Sequence, residues 1–251
     1  MIVLVTGASS GFGAEIARRF ARAGHRIVAA GRRVDRLEAL RAEIGDTQLH
    51  VVPLDVRDGD AVARAIAGLP PELAAIDLLV NNAGAALGLE PAHEASLDDW
   101  NQMVDTNVKG LMTVTREVLP GMVARDRGHV VNIGSTAASW PYAGANVYGA
   151  TKAFVHQFSL NLRADLAGTR VRVTVVEPGM VAGTEFSNVR FHGDDARAAK
   201  VYENADPLTP ADVAETVFWV ATLPERVNVN VIELMPVSQS FAGYSVSRRP
   251  S

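Results

Sequence analysis

Short β-branched runs alternate with segments of helical periodicity along the first third of the chain. Ile2 to Thr6 reads as a buried strand that ends in glycine, and Ile16, Ala17, Phe20 and Ala21 mark the apolar face of the helix that follows. Arg26 to Gly31 reads as a second strand and Val34 to Ile44 as a helix. Leu49 to Leu54, Asp58 to Leu69 and Asp77 to Val80 then read as strand, helix and strand. Such alternation predicts an α/β fold, a doubly wound parallel sheet with helices on both faces, joined by right-handed crossovers. No internal repeat or low-complexity run divides the 251 residues, so one domain is expected over the whole length.

Charge and cysteine content narrow the functions available to this fold. The 24 basic and 28 acidic residues are well mixed, which gives no electrostatic reason to expect a nucleic acid or anionic membrane as partner. The chain has no cysteine, which excludes disulfides, thiolate metal sites and a cysteine nucleophile. The six histidines show no ligand spacing, so no metal is expected, and His93, His129, His156 and His192 read as surface or polar-core residues. The apolar start Met1 to Thr6 lacks a basic leader and is too short for a signal or membrane span, so a cytoplasmic location is expected.

The first strand runs into Gly7-Ala-Ser9-Ser10-Gly11-Phe12-Gly13 and then into a helix. Strand, glycine-rich turn and helix in succession aim backbone N–H groups and a positive helix end at one place, where a pyrophosphate can sit. The fold is therefore expected to be Rossmann-like, although the first glycine gap is one residue longer than in the usual fingerprint. At the tip of the second strand stand Arg32 and Arg33 with no carboxylate, which points to the 2′-phosphate of NADP rather than the free ribose of NAD. Asp35 lies past that tip, where an acidic residue suits the first turn of a helix. Asp55, Asn81-Asn82-Ala83-Gly84 and Gly134-Ser135 also fall at the carboxyl ends of expected strands, the ligand-binding edge of such sheets.

The candidate chemistry centres on Ser135, Tyr148 and Lys152. Tyr148 and Lys152 are four residues apart in a helical segment and share a face. A neighbouring ammonium favours the phenolate, and a general acid or base works best with a pKa near the working pH. Tyr148 is therefore expected to transfer the proton, with Lys152 lowering its pKa.

With these residues in order, the chain resembles the single-domain short-chain dehydrogenase/reductases from Ile2 to about Leu234. Thr6-Gly7-x-x-x-Gly11-x-Gly13, Asp55, Asn81-Asn82-Ala83-Gly84, Asn107, Ser135, Tyr148-x-x-x-Lys152 and Pro178-Gly179 match that family's pattern. The resemblance implies a catalytic tetrad of Asn107, Ser135, Tyr148 and Lys152. It implies that Ser135 hydrogen-bonds the substrate oxygen, that Lys152 also holds the nicotinamide ribose, and that Asn107 anchors a water in the proton relay. It further implies cofactor contacts from Ser9, Ser10 and Phe12 in the glycine loop, from Asp55, Val56, Ala83 and Gly84, from Asn81 over the adenosine ribose, and from Pro178, Gly179 and Val181 at the nicotinamide amide. A homotetramer, assembled partly through helices near 99–125 and 148–166, is the family's usual state.

A narrower resemblance lies in Gly31-Arg32-Arg33, Leu87 to His93, Trp140 to Gly144 and Gly183 to Phe191. These segments are similar to the NADP-dependent 3-hydroxy acid dehydrogenase group, which includes serine and allo-threonine dehydrogenases and 3-oxopropanoate reductases; sulfoacetaldehyde reductases resemble the same template. The polar segment 182–203 is expected to form a lid, and Arg190 within it suits a substrate carboxylate because its planar fork binds bidentately. A non-catalytic NADP-binding regulator would not need the tyrosine, serine and lysine together. A sugar-nucleotide epimerase, which shares Tyr-x-x-x-Lys, usually needs a larger substrate lobe.

Overall fold

A computed structural model describes residues 1–241 and 246. Strands β1 (Ile2–Thr6), β2 (Arg26–Gly31), β3 (Leu49–Pro53), β4 (Leu78–Asn81), β5 (Gly128–Ile133), β6 (Val171–Pro178) and β7 (Val231–Leu234) form one sheet in the order β3-β2-β1-β4-β5-β6-β7. Every pairing is parallel. The order reverses between β1 and β4, and doubly wound sheets bind ligands at that switch, beyond the strand carboxyl ends.

The apolar runs predicted as strands are buried on both sides because helices cover both faces. On one face α1 (Gly11–Arg22), α2 (Val34–Ile44) and α9 (Pro210–Thr222) pack around Phe20, Ile16, Leu37 and Val217. On the other face α3 (Gly59–Ala67), α5 (Leu111–Ala124) and α6 (Asn146–Asp165) cover Leu4, Val28, Leu79 and Val130. Between them in sequence lies α4 (Leu97–Val104), and α7 (Phe186–Arg190) and α8 (Asp195–Lys200) follow β6.

Observed bounds depart from the expected ones where side chains cap the ends. Asp58 stands outside α3 because its carboxylate accepts from the Ala61 N–H at 2.9 Å, the geometry of an N-cap. Asp77 stands outside β4 and accepts from the Ile2 N–H at 2.8 Å. Asp35 does fall in the first turn of α2. No periodicity announced the π-helical turn Asp105–Gly110, in which the backbone bonds skip one residue further than in an α-helix. Phe154, Phe158 and Leu162, an apolar stripe along α6 that could serve either a second subunit or the protein's own sheet, pack at least partly against the protein's own core. No helix among the described residues is long and apolar enough to cross a membrane.

Candidate active site

The glycine loop brings backbone to within contact of backbone. Gly7 has φ of +67°, which an L side chain rarely adopts, and a Cβ on Gly13 would lie 2.6 Å from Asn82 Nδ2. Asn82 braces the loop by donating to the carbonyl of Thr6 at 2.9 Å, and the Thr6 hydroxyl accepts from the N–H groups of Asn82 and Ala83 at 3.0 Å each. Helix α1 then starts at Gly11 with no side-chain cap and no acidic residue in its first turn, whereas α3, α4 and α9 are all capped by side chains. Its free N–H groups and positive end are therefore available to an anion, as a pyrophosphate requires.

At the tip of β2, Arg33 donates to Ser10 Oγ at 2.6 Å, to Ser9 Oγ at 3.4 Å and to a Glu185 carboxylate oxygen at 2.7 Å. Arg36 donates to the other Glu185 oxygen at 2.7 Å. These two arginines hold the Glu185 carboxyl below its ordinary range. The guanidiniums thus form a cationic wall at this strand tip, already paired to a carboxylate of the segment after β6. Arg32 is exposed beside it, and Asp55, at the end of β3, is bound by Arg57 at 2.6 Å and held low by it. Val56 is buried and faces the π-helical turn, where a Cβ on Gly110 would lie 2.7 Å from its side chain.

Ser135, Tyr148 and Lys152 come together at the ends of β5 and α6. Ser135 follows β5 and its hydroxyl accepts from the Ala137 N–H at 3.1 Å. Tyr148 is 7% exposed and Lys152 8%, with the lysine Nζ 5.9 Å from the phenol ring centroid. Lys152 donates to the Ile133 carbonyl at 2.8 Å. The shared helix face was legible; the electrostatic balance was not. Burial pushes the phenol up to about 12, against the lowering by Ser135 and, to a lesser degree, Arg190. Lys152 is itself pushed down to about 8 by burial. The phenol is thus shifted upward rather than depressed, because enclosure is the dominant influence on it.

Asn107 sits in the π-helical turn, and its side chain is used by the scaffold. Its Oδ1 accepts from the Ala85 N–H at 2.8 Å, while Nδ2 donates to the Ala85 carbonyl at 2.8 Å and to Thr151 Oγ1 at 3.0 Å. The residue braces the loop after β4 against α6, with both Nδ2 hydrogens bonded within the scaffold. Gly84 lies where a Cβ would meet Asn107 Oδ1 at 3.3 Å and Lys152 Nζ at 3.7 Å, so loop, asparagine and lysine converge. Asn81 departs from the expectation: its Nδ2 donates to Thr115 and Asn132 at 2.9 Å each, inside the layer between sheet and helices. Neighbouring strand residues face opposite sides, and Asn82 rather than Asn81 turns toward the glycine loop.

Beyond β6, Pro178 is buried, Gly179 donates its N–H to the Leu234 carbonyl at 2.8 Å and Val181 pairs with Leu208. Gln239 accepts from the Met180 N–H at 2.7 Å and covers this turn, a contact that nothing local in the sequence marks. Helix α7 then places Arg190 against the catalytic cluster. The guanidinium is 8% exposed, 5.5 Å from the ring centroids of both Tyr148 and Tyr142, and donates to Tyr142 Oη at 3.0 Å and to the Gly88 carbonyl at 3.2 Å. Phe186 meets Tyr148 edge-on at 5.9 Å. The cluster therefore brings together a proton donor, a hydroxyl and a fixed cation beside aromatic rings. No group of acidic residues and histidines that could hold a metal occurs among the described residues.

A glycine loop feeding an uncapped helix, a cationic wall at the next strand tip and a buried tyrosine beside a serine and a lysine define a dinucleotide-dependent oxidoreductase site. The chain belongs to the short chain dehydrogenase family, whose pattern it matches over residues 1–195. It is 64% identical to a Salmonella typhi NADP-dependent 3-hydroxy acid dehydrogenase over 99% of this chain and 100% of that protein. It is 50% identical to the serine 3-dehydrogenase of Agrobacterium fabrum over 98% of each. Among solved structures, the closed form of a serine dehydrogenase complexed with NADP+ superposes with a TM-score of 0.98 at 63% identity, covering 99% of this chain and 100% of the other.

Proposed function

We propose that the protein transfers a hydride between NADP and a small 3-hydroxy acid or β-hydroxy amino acid of the serine, allo-threonine or 3-hydroxypropanoate type. In reverse it would reduce a 3-oxo acid such as 3-oxopropanoate. As a short chain dehydrogenase it is an enzyme acting on a CH–OH group, and the names of its relatives together with the arginine wall at β2 support NADP(H) as cofactor. The observation that carries the substrate class is Arg190, a buried guanidinium held 5.5 Å from the Tyr148 ring.

NADP(H) supplies or accepts the hydride. Gly7, Ser9, Ser10, Gly11, Phe12 and Gly13 would hold its pyrophosphate region, Arg32 and Arg33 its 2′-phosphate, and Asp55, Val56, Ala83 and Gly84 the rim toward the adenosine. Pro178, Gly179 and Val181 would lie along the nicotinamide amide and Lys152 at its ribose. Ser135 and Tyr148 bind the substrate oxygen, and a phenol kept protonated by burial is in the state needed to donate a proton to a carbonyl. Arg190 binds the substrate's anionic end, which fixes the orientation of a molecule too small for much apolar contact. The segment 182–203 acts as a lid that carries this arginine and excludes water when closed. Asn107 serves the tetrad as the brace described above.

Reduction of NADP+ measured over a panel of serine, allo-threonine, 3-hydroxypropanoate, 2-hydroxyethanesulfonate and a neutral primary alcohol tests this reading. Turnover of the hydroxy acids far above the neutral alcohol is expected. A preference for the sulfonate would favour the second reading, a sulfoacetaldehyde reductase, since a guanidinium accepts either anion. A chain that binds NADPH and turns over none of the panel would remove this substrate class. The assembly proposed is a homotetramer, and light scattering that returned the 26.7 kDa of one chain would remove it.

A further inference from the structure

Glu177 is 1% exposed, lies at the carboxyl end of β6 and takes no part in the proton transfer described above. It stands behind the backbone that holds the catalytic lysine. A Cβ on Gly134 would fall 2.8 Å from Glu177 Cγ and 3.2 Å from its Oε1, and the preceding residue, Ile133, is the one whose carbonyl accepts from Lys152. From the other side His156 Nδ1 meets Glu177 Oε1 at 2.9 Å. Tyr148, Lys152 and His156 are spaced i, i+4, i+8, so one face of α6 carries the phenol, the ammonium and the imidazole in a column with Glu177 facing its lower half. Glu233, the register partner of Glu177 on β7, is the other nearby carboxylate, and it accepts from Trp140 Nε1 at 2.8 Å.

A buried ammonium either finds an opposite charge or gives up its proton. Lys152 has the Ile133 carbonyl for a hydrogen bond, and the Glu177 carboxylate stands behind the same Ile133–Gly134 backbone. We propose that Glu177, oriented by His156, is a positioning residue that acts through Lys152: its carboxylate is the counter-charge that keeps the ammonium protonated beneath Tyr148. Burial lowers Lys152, and Glu177 is the group that raises it. Burial likewise raises Glu177, while the His156 bond opposes that rise. The imidazole thus favours the charged carboxylate, and the carboxylate favours the charged lysine. This rests on the reading of Lys152 as part of the active site.

The chain has three lysines, Lys109, Lys152 and Lys200, so lysine labelled with 13C at Cε gives three resonances whose titration can be followed in the protein without cofactor. Lys152 is assigned by its loss in Lys152→Met. In Glu177→Gln its midpoint is expected to fall by about one unit or more, as removal of a nearby opposite charge requires, with Lys109 and Lys200 unmoved. In parallel, the alkaline limb of kcat for carbonyl reduction should move to lower pH. Because Glu177 lies in an interior strand, His156→Leu is the second variant, expected to shift Lys152 in the same direction by less. An unchanged Lys152 midpoint in a folded variant of either kind overturns the proposal. If Tyr148→Phe keeps its turnover while the midpoint moves, the active-site reading fails and the counter-charge stands; with turnover abolished and the midpoint fixed, only the counter-charge fails.

Discussion

The Glu185 carboxylate is bonded to Arg33 at 2.7 Å, which ties the segment after β6 to the tip of β2 across the glycine loop. Arg33 therefore meets two anions, this carboxylate and the 2′-phosphate proposed for the same wall. Replacing Arg32 and Arg33 together by Ala should weaken NADPH much more than NADH, since each charge-assisted contact contributes about 1.5–3 kcal/mol. Fluorescence titration with both cofactors measures the ratio, and equal losses would show that the arginines do not read the phosphate.

Glu185→Gln keeps the shape and removes the nearby negative charge, so it should tighten NADPH relative to NADH. A few-fold change is expected, because the ion pair is partly exposed and screened. Tighter binding of both cofactors by the same factor would place the carboxylate away from the phosphate.

Tyr148→Phe retains the ring packed against Phe186 and loses only the hydroxyl. Turnover should fall on the order of 10²- to 10⁴-fold, the usual contribution of a general acid, while NADPH still binds. Near-normal kcat would show that the proton comes from another group.

How much of this was legible in the sequence depended on the range of the interaction concerned. The bounds of β1, β2 and α2 followed from local periodicity and coincide with those observed. The meeting of Ser135, Tyr148 and Lys152 followed from helix spacing and strand ends. Which of Asn81 and Asn82 turns toward the glycine loop depends on the phase of β4, and a run buried on both faces gives no alternation from which to read that phase. The pKa of Tyr148 depends on burial to which Phe186, some 40 residues further along the chain, contributes by packing on the ring, so spacing on α6 alone gave the wrong direction. Glu185 and Gln239 were missed because each acts across a distance that no local pattern encodes.

Lys152 also has a consequence for stability. Its pKa is about 8 in the fold against 10.5 for an ordinary lysine, so between these values the unfolded chain binds a proton that the folded protein does not. Stability then rises with pH across that window, because the unfolded state carries more protons there, and below pH 8 the burial of the charge is felt in full. Lys152→Met removes the titrating group and should lack this gain. The test is thermal melting of both proteins from pH 7 to pH 10, without cofactor. The variant's advantage should be largest at pH 7 and shrink above pH 8; a constant difference would mean that the lysine is not perturbed by burial.

Arg190 gives the sharpest test of the substrate class, because its guanidinium is buried next to the proton donor yet two of its contacts are to neutral groups, the Gly88 carbonyl and the Tyr142 hydroxyl. Among the described residues no carboxylate pairs with it, and a buried cation in that position gains most when an anion binds beside it. A small hydroxy acid has few atoms for apolar recognition, so much of its affinity and alignment must come from that contact, and alignment alone can contribute several kcal/mol to lowering the barrier. Arg190→Ala should therefore depress kcat/KM for carboxylate substrates by roughly 10- to 100-fold, the expected loss for a charge-assisted bond of about 1.5–3 kcal/mol. Neutral alcohols and aldehydes of similar size should lose far less. Because α7 also packs Phe186 on Tyr148, part of any loss could come from a disturbed segment, and that part would fall equally on charged and neutral substrates. The ratio of the two losses within one variant cancels it. A ratio near one would leave Arg190 as a structural cation that joins α7 to the Gly88 turn, and the anion would have to be bound elsewhere in the pocket.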